Sequence, residues 1–521
     1  MSQQKTQLVW FKRDLRVQDH APLAEAAKRG PCLCLYVYEP EVYTAEDFDS
    51  AKMNFINDSL RDLALSLKRL GGRLTFRVGT LPQAFEELYD EYPFEAIWSH
   101  EETGNDITYR RDQRVSAWAN EKGIALHQLP QNGVVRGLKS RDGWSRLWQQ
   151  RMNESTAPMP EHVTPVEGLT HGRRRSLREL GLPESTRTDV QHGGESLAHE
   201  TLETFLTDRG VNYRSDMSSP LTGEQGCSRL STYLAWGNIS IKQVYHAVTA
   251  RSQELKDIRK AKQEIDKRWL PSLSSYQGRL RWHCHFMQKY EDEPRIEFEN
   301  INRGYDGLRE NEFNEEYFQR WCEGRTGYPF VDACIRALHQ TGWTNFRMRA
   351  MLVSFASYHL WLHWRRPALY LAQQFLDFEP GIHYSQFQMQ SGVTGINTVR
   401  IYSPTKQAQD QDPEGIFIRR YVPELSGVPT KHIAEPHKMA QTEQRKAGCI
   451  IGKDYPAPIV DHKEATKAAK QRVYAVKGNA KTKAESQKVY EKHGSRRRPS
   501  RPPRKKTPKK SDWEQGTLLD G

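Results

Sequence analysis

Two arginines two positions apart, Arg347 and Arg349, lie in a dense aromatic block, and an isolated acid, Asp377, follows Arg349 by 28 residues. The block begins TGYPFVDACIRALHQTGWTNFRMRAMLVSFASYHLWLHW at residue 326 and reads as helix. Charges enclosed by such residues must be paired or bound to a ligand. Arg349 and Asp377 are therefore expected to form a buried ion pair, and the aromatic surroundings suit a large, planar, redox-active ligand. A structural pair joining two helices would use the same residue types. Tyr358, Trp361 and Trp364 follow at three-residue spacing, which core packing alone would also produce.

A second set lies upstream. Gly226-Cys227-Ser228-Arg229-Leu230-Ser231 opens an apolar helical stretch. Small residues, hydroxyls and one arginine at a helix start can meet phosphate oxygens through free N–H groups and the positive end of the dipole; a serine there can equally be a plain N-cap. The elements that must carry these sets divide the chain. Residues 1–130 alternate strands, expected at Gln7–Phe11, Cys32–Tyr38, Arg73–Val78 and Ala96–Ser99, with helices, the clearest being Ile56, Leu60, Leu63, Leu67 and Leu70 on one face. Alternation of this kind predicts an α/β parallel sheet of Rossmann-like type covered on both faces. Its first turn, Lys12-Arg13-Asp14-Leu15-Arg16, lacks the glycines of a dinucleotide fingerprint. Residues 131–200 read as an irregular connector, 201–477 as an all-α domain, and 478–521 as a basic, disordered tail.

The chain has 521 residues and a net charge of +12, of which the stretch 495–510, SRRRPSRPPRKKTPKK, carries nine. The rest is near neutral, so the basicity belongs to a tail that fits a polyanion or is simply solvated. Seven scattered cysteines without metal-site spacing suit reduced thiols and argue against a metal site. The N-terminus is charged where a signal peptide is apolar, and no apolar run is long enough to span a bilayer. A cytoplasmic protein without membrane attachment is the expectation, nucleoid-associated if bacterial.

Together these pieces resemble the photolyase/cryptochrome family, in a divergent, bacterial-type photolyase-like branch. The resemblance rests on LVWFKRDLRVQDHAPL, GCSRLSTYLAWGNIS, EGRTGYPFVDACIRALHQTGWTNFRMR, and VRIYSPTKQ followed by FIRRYVPELSGVP. It implies an α/β antenna domain plus an all-α FAD-binding domain. FAD would be held by Tyr213, Cys227, Ser228, Arg229, Leu230 and Ser231 at its phosphates, with Tyr276, Trp343, Arg349, Asp377, Glu379 and His383 around the ring system. A second antenna chromophore of folate or deazaflavin type would border Ser99–Gly104. The implied activity is light-driven splitting of pyrimidine dimers by electron transfer from reduced flavin. Damaged DNA is the partner of a monomer, Trp282 stacks on the flipped lesion, and Arg279, Arg347 and Met389 lie on the DNA side.

The chain departs from the family pattern where a glutamate is usual (Arg279), an asparagine (Phe346, beside Asn345), a methionine (Ala350), and a second lesion-side tryptophan (Met389). His383 replaces an asparagine facing the flavin, where a protonatable imidazole could serve as a proton donor. The family's photoreduction wire keeps Trp364 but has Phe387 and Asn311 at its other positions, which points to a detour through Trp361, Tyr358 or Tyr384. The paired histidines of (6-4) repair are absent, so cyclobutane dimers are favoured. A cryptochrome-like blue-light receptor and a nucleic-acid-binding module without photochemistry are the competing classes.

Overall fold

The computed structural model describes residues 5–494. Five strands, β1 (Gln7–Phe11), β2 (Cys32–Tyr38), β3 (Leu74–Val78), β4 (Ala96–His100) and β5 (Ala125–Leu129), form one parallel sheet in the order β3-β2-β1-β4-β5. The period of two along each strand sorts side chains to opposite faces. Leu8, Trp10, Leu33 and Leu35 enter one apolar core, while Val9, Phe11, Cys32 and Cys34 enter the other. The helix Ser50–Arg69 packs Ile56, Leu60, Leu63 and Leu67 inward, starts at an Asp49 cap that accepts from the Ala51 N–H at 2.8 Å, and is followed by Gly71 at φ +88°. The strand β5 is not predicted from its residues. ALHQL is an edge strand with mostly exposed or half-buried side chains, so no apolar run marks it.

Two expected boundaries change. The 131–200 connector is not a free linker, because it folds along the sheet domain. Cys32 N–H donates to Thr164 O at 2.8 Å, Val163 N–H to Leu70 O at 2.7 Å and Phe76 N–H to His171 O at 2.7 Å. It also holds the helix Trp144–Asn153 and the start of the helix Glu195–Thr207. The expected disorder from 478 onward is corrected too. Ala480–His493 is a helix whose Thr482, Val489 and His493 are buried, with Ser486 accepting from Asn302 at 2.9 Å and His493 meeting Glu293 at 2.6 Å. Its polar composition hid three anchors spaced along one face. The basic stretch 495–510 lies outside the described residues.

The helical domain meets the sheet domain through the first turn after β1. Arg13 donates to Ala235 O and Phe378 O, each at 2.8 Å, and Arg16 to Gly237 O at 2.9 Å. Gly237 is required there, since its φ is +68° and a Cβ would stand 2.2 Å from Arg13 O. Lys52 adds a bond to Ala372 O at 2.7 Å. Residues 12–16 thus act as a clamp between domains. All seven cysteines are buried free thiols, and no described helix is long and apolar enough to cross a membrane.

Candidate functional site

The expected ion pair is present. Arg349, on the helix Phe346–Ser354, reaches Asp377 through two parallel bonds, Nη1 to Oδ1 at 3.0 Å and Nη2 to Oδ2 at 2.7 Å. The fork geometry matches a carboxylate and is among the stronger charge-assisted contacts. Phe375 covers the guanidinium at 4.0 Å. The Asp377 side chain is 3% exposed and that of Arg349 25%, so the arginine keeps one open flank. Burial by itself would raise the Asp377 carboxyl, but Arg349, a hydrogen bond from Ser231 and the charge of Arg229 overcome it and hold the group below its ordinary value.

The Cys227–Ser231 loop is set against this pair. Its carbonyls are held from behind by Arg209, which donates to Cys227 O at 2.7 Å and Ser228 O at 3.3 Å, and by Gln191, which donates to Arg229 O at 3.0 Å. Arg229 takes a left-handed backbone at φ +61° and lays its guanidinium 3.9 Å from the Trp343 ring centroid. Burial lowers Arg229 to about 10, still cationic at neutral pH. Tyr276 hydrogen-bonds Ser228 and packs edge-on against Tyr213 at 5.3 Å, and Tyr213 in turn hydrogen-bonds Arg279. Leu230 is fully buried as the loop's apolar anchor, and burial pushes the Cys227 thiol up to about 12, leaving it inert as a nucleophile. The helix that this loop opens, Ser231–Ala235, has only 5 residues. The expected contribution of a helix dipole is therefore small, and the hydroxyls and Arg229 are what the loop offers to phosphates.

Glu379 and His383 follow Asp377 across the start of the helix Pro380–Gln390, with His383 N–H donating to Glu379 O at 2.9 Å. Of the two readings open for His383, a protonatable imidazole and a neutral, hydrogen-bonded ring, the geometry favours the second. Its Nε2 donates to Ala368 O at 2.8 Å, and burial among Phe375, Phe378 and Phe387 lowers it to about 3. The neutral ring leaves Nδ1 as an acceptor. Glu379 is the group that titrates near neutrality: burial raises it to about 7, against the opposing charge of Arg13, whose Nη2 lies 3.4 Å from Oε2. It faces a small cleft between the domains, lined also by Glu102, Thr103, Gln131 and His283. The folded-state value is raised, so this group's contribution to stability is full below its ordinary value of 4.5 and is lost as pH rises through about 7. Glu379→Gln is expected to remove one proton uptake centred near pH 7 from the titration of the folded protein; an unaltered titration in the variant would show that another group carries it.

On the DNA-side set, Trp282 is half-buried on the helix Trp269–Asp292, stacked with Phe286 at 5.5 Å and edge-on to His285 at 5.0 Å. Met389 is half-buried on the Pro380–Gln390 helix, which lies close to Trp269–Asp292 because Gly381 has no Cβ; one would stand 2.7 Å from Met287 Cα. Arg347 approaches Ser218 at 3.4 Å. Trp364 is fully buried and donates to Asn300 at 2.8 Å, Phe387 packs against His383 at 4.7 Å, and Asn311 is exposed. Tyr358 is buried, and Trp361 has two guanidinium groups, Arg309 and Arg472, within 5 Å of its ring. The Ser99–Gly104 loop is not simply solvated: Glu102 is buried against Arg111 at 2.5 Å. Arg13 and Arg209 were not identified as site residues from sequence. Arg13 had a weak signal in the charged first turn, and Arg209 had none, since only the fold brings it behind the loop.

Residues 7–139 match the family model described as DNA photolyase, and residues 276–475 match that of the FAD binding domain of DNA photolyase. A Cryptochrome DASH from Gloeobacter violaceus is 28% identical over 504 residues, covering 90% of this chain and 96% of the relative. A deoxyribodipyrimidine photo-lyase from Escherichia coli is 29% identical over 488 residues, covering 88% and 96%. Among solved structures, a bacterial class III photolyase from Agrobacterium tumefaciens superposes with a TM-score of 0.81 at 25% identity, covering 92% of this chain and 99% of that one. The chain belongs to the DNA photolyase/cryptochrome family, and its helical domain is an FAD-binding domain. Both photolyases and cryptochromes are among its relatives. The residues fit the cofactor: Asn345 Oδ1, Arg347 Nε and His283 Nδ1 are buried without hydrogen-bond partners. Buried polar atoms are nearly always paired, so an orphaned set near Trp343, Arg349 and Glu379 suits a large polar ligand.

Proposed function

We propose that the protein is an FAD-dependent DNA photolyase that splits pyrimidine dimers under blue or near-ultraviolet light, with cyclobutane dimers as substrate. The carrying observation is the bidentate Arg349–Asp377 pair with Arg229 stacked on Trp343 beside it. Bound reduced FAD supplies a one-electron donor on illumination. Within this reading, Ser228, Ser231 and Arg229 hold the phosphates, while Tyr213 and Tyr276 wall the pocket. Asp377 keeps Arg349 in place and ionised, His383 presents a neutral acceptor, and Glu379 holds or releases a proton near pH 7. Trp282 stacks on the flipped lesion, with Arg279, Arg347 and Met389 around it.

Trp364 and Trp361 are the proposed relay toward the surface. Arg309 and Arg472 oppose a positive charge on the Trp361 indole, which favours Trp364 as the principal member. A second chromophore of folate or deazaflavin type is proposed to border Ser99–Gly104, where Glu102 and Thr103 sit at the domain junction. The alternative, a cryptochrome-like photoreceptor, is favoured by Arg279 and Met389, where lesion contacts are usual. Restoration of ultraviolet-damaged oligonucleotides under reducing blue light tests the choice: light-dependent restoration supports repair, and none supports light sensing.

Removal of residues 495–510 is expected to weaken damaged and undamaged duplex alike and to flatten the salt dependence of binding, because phosphate contacts carry no information about the lesion. Filter-binding across a salt series reads this. A loss confined to damaged DNA would assign the segment to lesion recognition instead.

A further inference from the structure

Arg309 is 1% exposed, and its guanidinium pairs with no carboxylate among the described residues. Its Nε and Nη2 are buried without hydrogen-bond partners. These two N–H groups share one edge of the guanidinium, the fork that takes a carboxylate or similar anion through two parallel bonds. Two more unpartnered donors belong to the aromatic rings over which the guanidinium packs. The Tyr358 hydroxyl and Trp361 Nε1 are buried and unpartnered, on rings whose centroids lie 5.5 and 4.5 Å from the guanidinium.

Glu310 favours the Arg309 charge from a distance but leaves Nε and Nη2 without an acceptor. Glu310 accepts from the backbone N–H of Arg309 at 2.8 Å and faces His363 at 3.7 Å. Arg472, from the helix His462–Gly478, adds a second guanidinium 4.8 Å from the Trp361 ring and is met by Glu312 at 2.7 Å. Trp361 itself is held at φ +53°, directly after the π-helical turn Phe355–His359. A left-handed backbone at a bulky residue is strained. Donors without an acceptor, around an unpaired buried cation, call for an anion; a water would satisfy hydrogen bonds and leave the charge uncompensated.

We infer that a small oxyanion binds at Arg309, with Nε and Nη2 gripping two of its oxygens and the Tyr358 hydroxyl and Trp361 Nε1 as the further unpartnered donors of the neighbourhood. The site is separate from the Arg349–Asp377 pocket and does not rest on the photolyase reading. Formate is the probe. Flavin-loaded protein is melted in sodium gluconate while formate replaces gluconate at constant ionic strength.

The melting temperature should rise saturably with formate. Arg309→Met should abolish the rise, and the isosteric Tyr358→Phe should shift the half-saturating concentration upward about five-fold, the worth of one hydrogen bond. A flat wild-type curve overturns the inference, as does an Arg309→Met protein that melts higher than wild type at every formate concentration. If Arg309→Met does not fold, Tyr358→Phe decides alone: an unshifted curve overturns the site. A crystal grown in formate should show the oxyanion on the Nε/Nη2 edge, and a water in its place contradicts the proposal.

Discussion

Asp377→Ala is expected to purify without flavin and to lose about 3 kcal/mol of stability, the lower end of the cost of breaking a buried pair. The low end applies because Arg349 is 25% exposed and can recruit water once its partner is gone. Asp377→Asn keeps the volume and one acceptor and should fall between the two. A double variant, Arg349→Met with Asp377→Leu, separates the pair's two roles. Replacing both charges with apolar groups removes the stranded cation, so stability should return toward wild type while flavin stays absent. If flavin returned together with stability, the pair would be a strut and the pocket would lie elsewhere. Chemical denaturation and cofactor absorbance, measured on the same preparations, read the two effects independently.

Trp282→Ala should weaken binding to dimer-containing DNA by roughly 5- to 150-fold, from the 1–3 kcal/mol that one base–aromatic stack contributes. Undamaged duplex should bind as before, since its bases stay stacked inside the helix and never meet the indole. Trp282→Phe should recover most of the affinity. Trp282 is half-buried and braced by Phe286 and His285, so the ring is presented by neighbours and not swallowed by the core. Equal loss on damaged and undamaged DNA would point to a fold defect, and no loss would move the lesion surface away from this helix.

Several parts of this arrangement were legible from residue order. The first four strands announce themselves because buried parallel strands are continuous apolar runs, as in QLVWF and CLCLYVY. The Arg349–Asp377 pair was legible because charges in an aromatic block need partners. The edge strand β5 was not, since a strand open on one side needs no such run. The helix Ala480–His493 was hidden for a related reason: Thr482, Val489 and His493 anchor it within an otherwise solvated, lysine-rich segment. His383 was open from sequence between a titrating group and a neutral, hydrogen-bonded ring. Its neighbours decide for the second, with three phenylalanine rings and a backbone carbonyl fixing it neutral, and the titration near pH 7 passes to Glu379. The clamp role of Arg13 and the bracing role of Arg209 depend on contacts across more than 200 residues for the first and on a folded loop for the second.

The proposed function requires the helical domain to enclose FAD against Arg349, Asp377, Arg229 and Trp343. The flavin content of purified protein, measured by absorbance after release of the cofactor, tests it most directly. Stoichiometric FAD in the wild type and its loss in Asp377→Ala is the predicted result. A wild-type chain that stays colourless after refolding with FAD, or an Asp377→Ala chain that keeps its full complement, would contradict it.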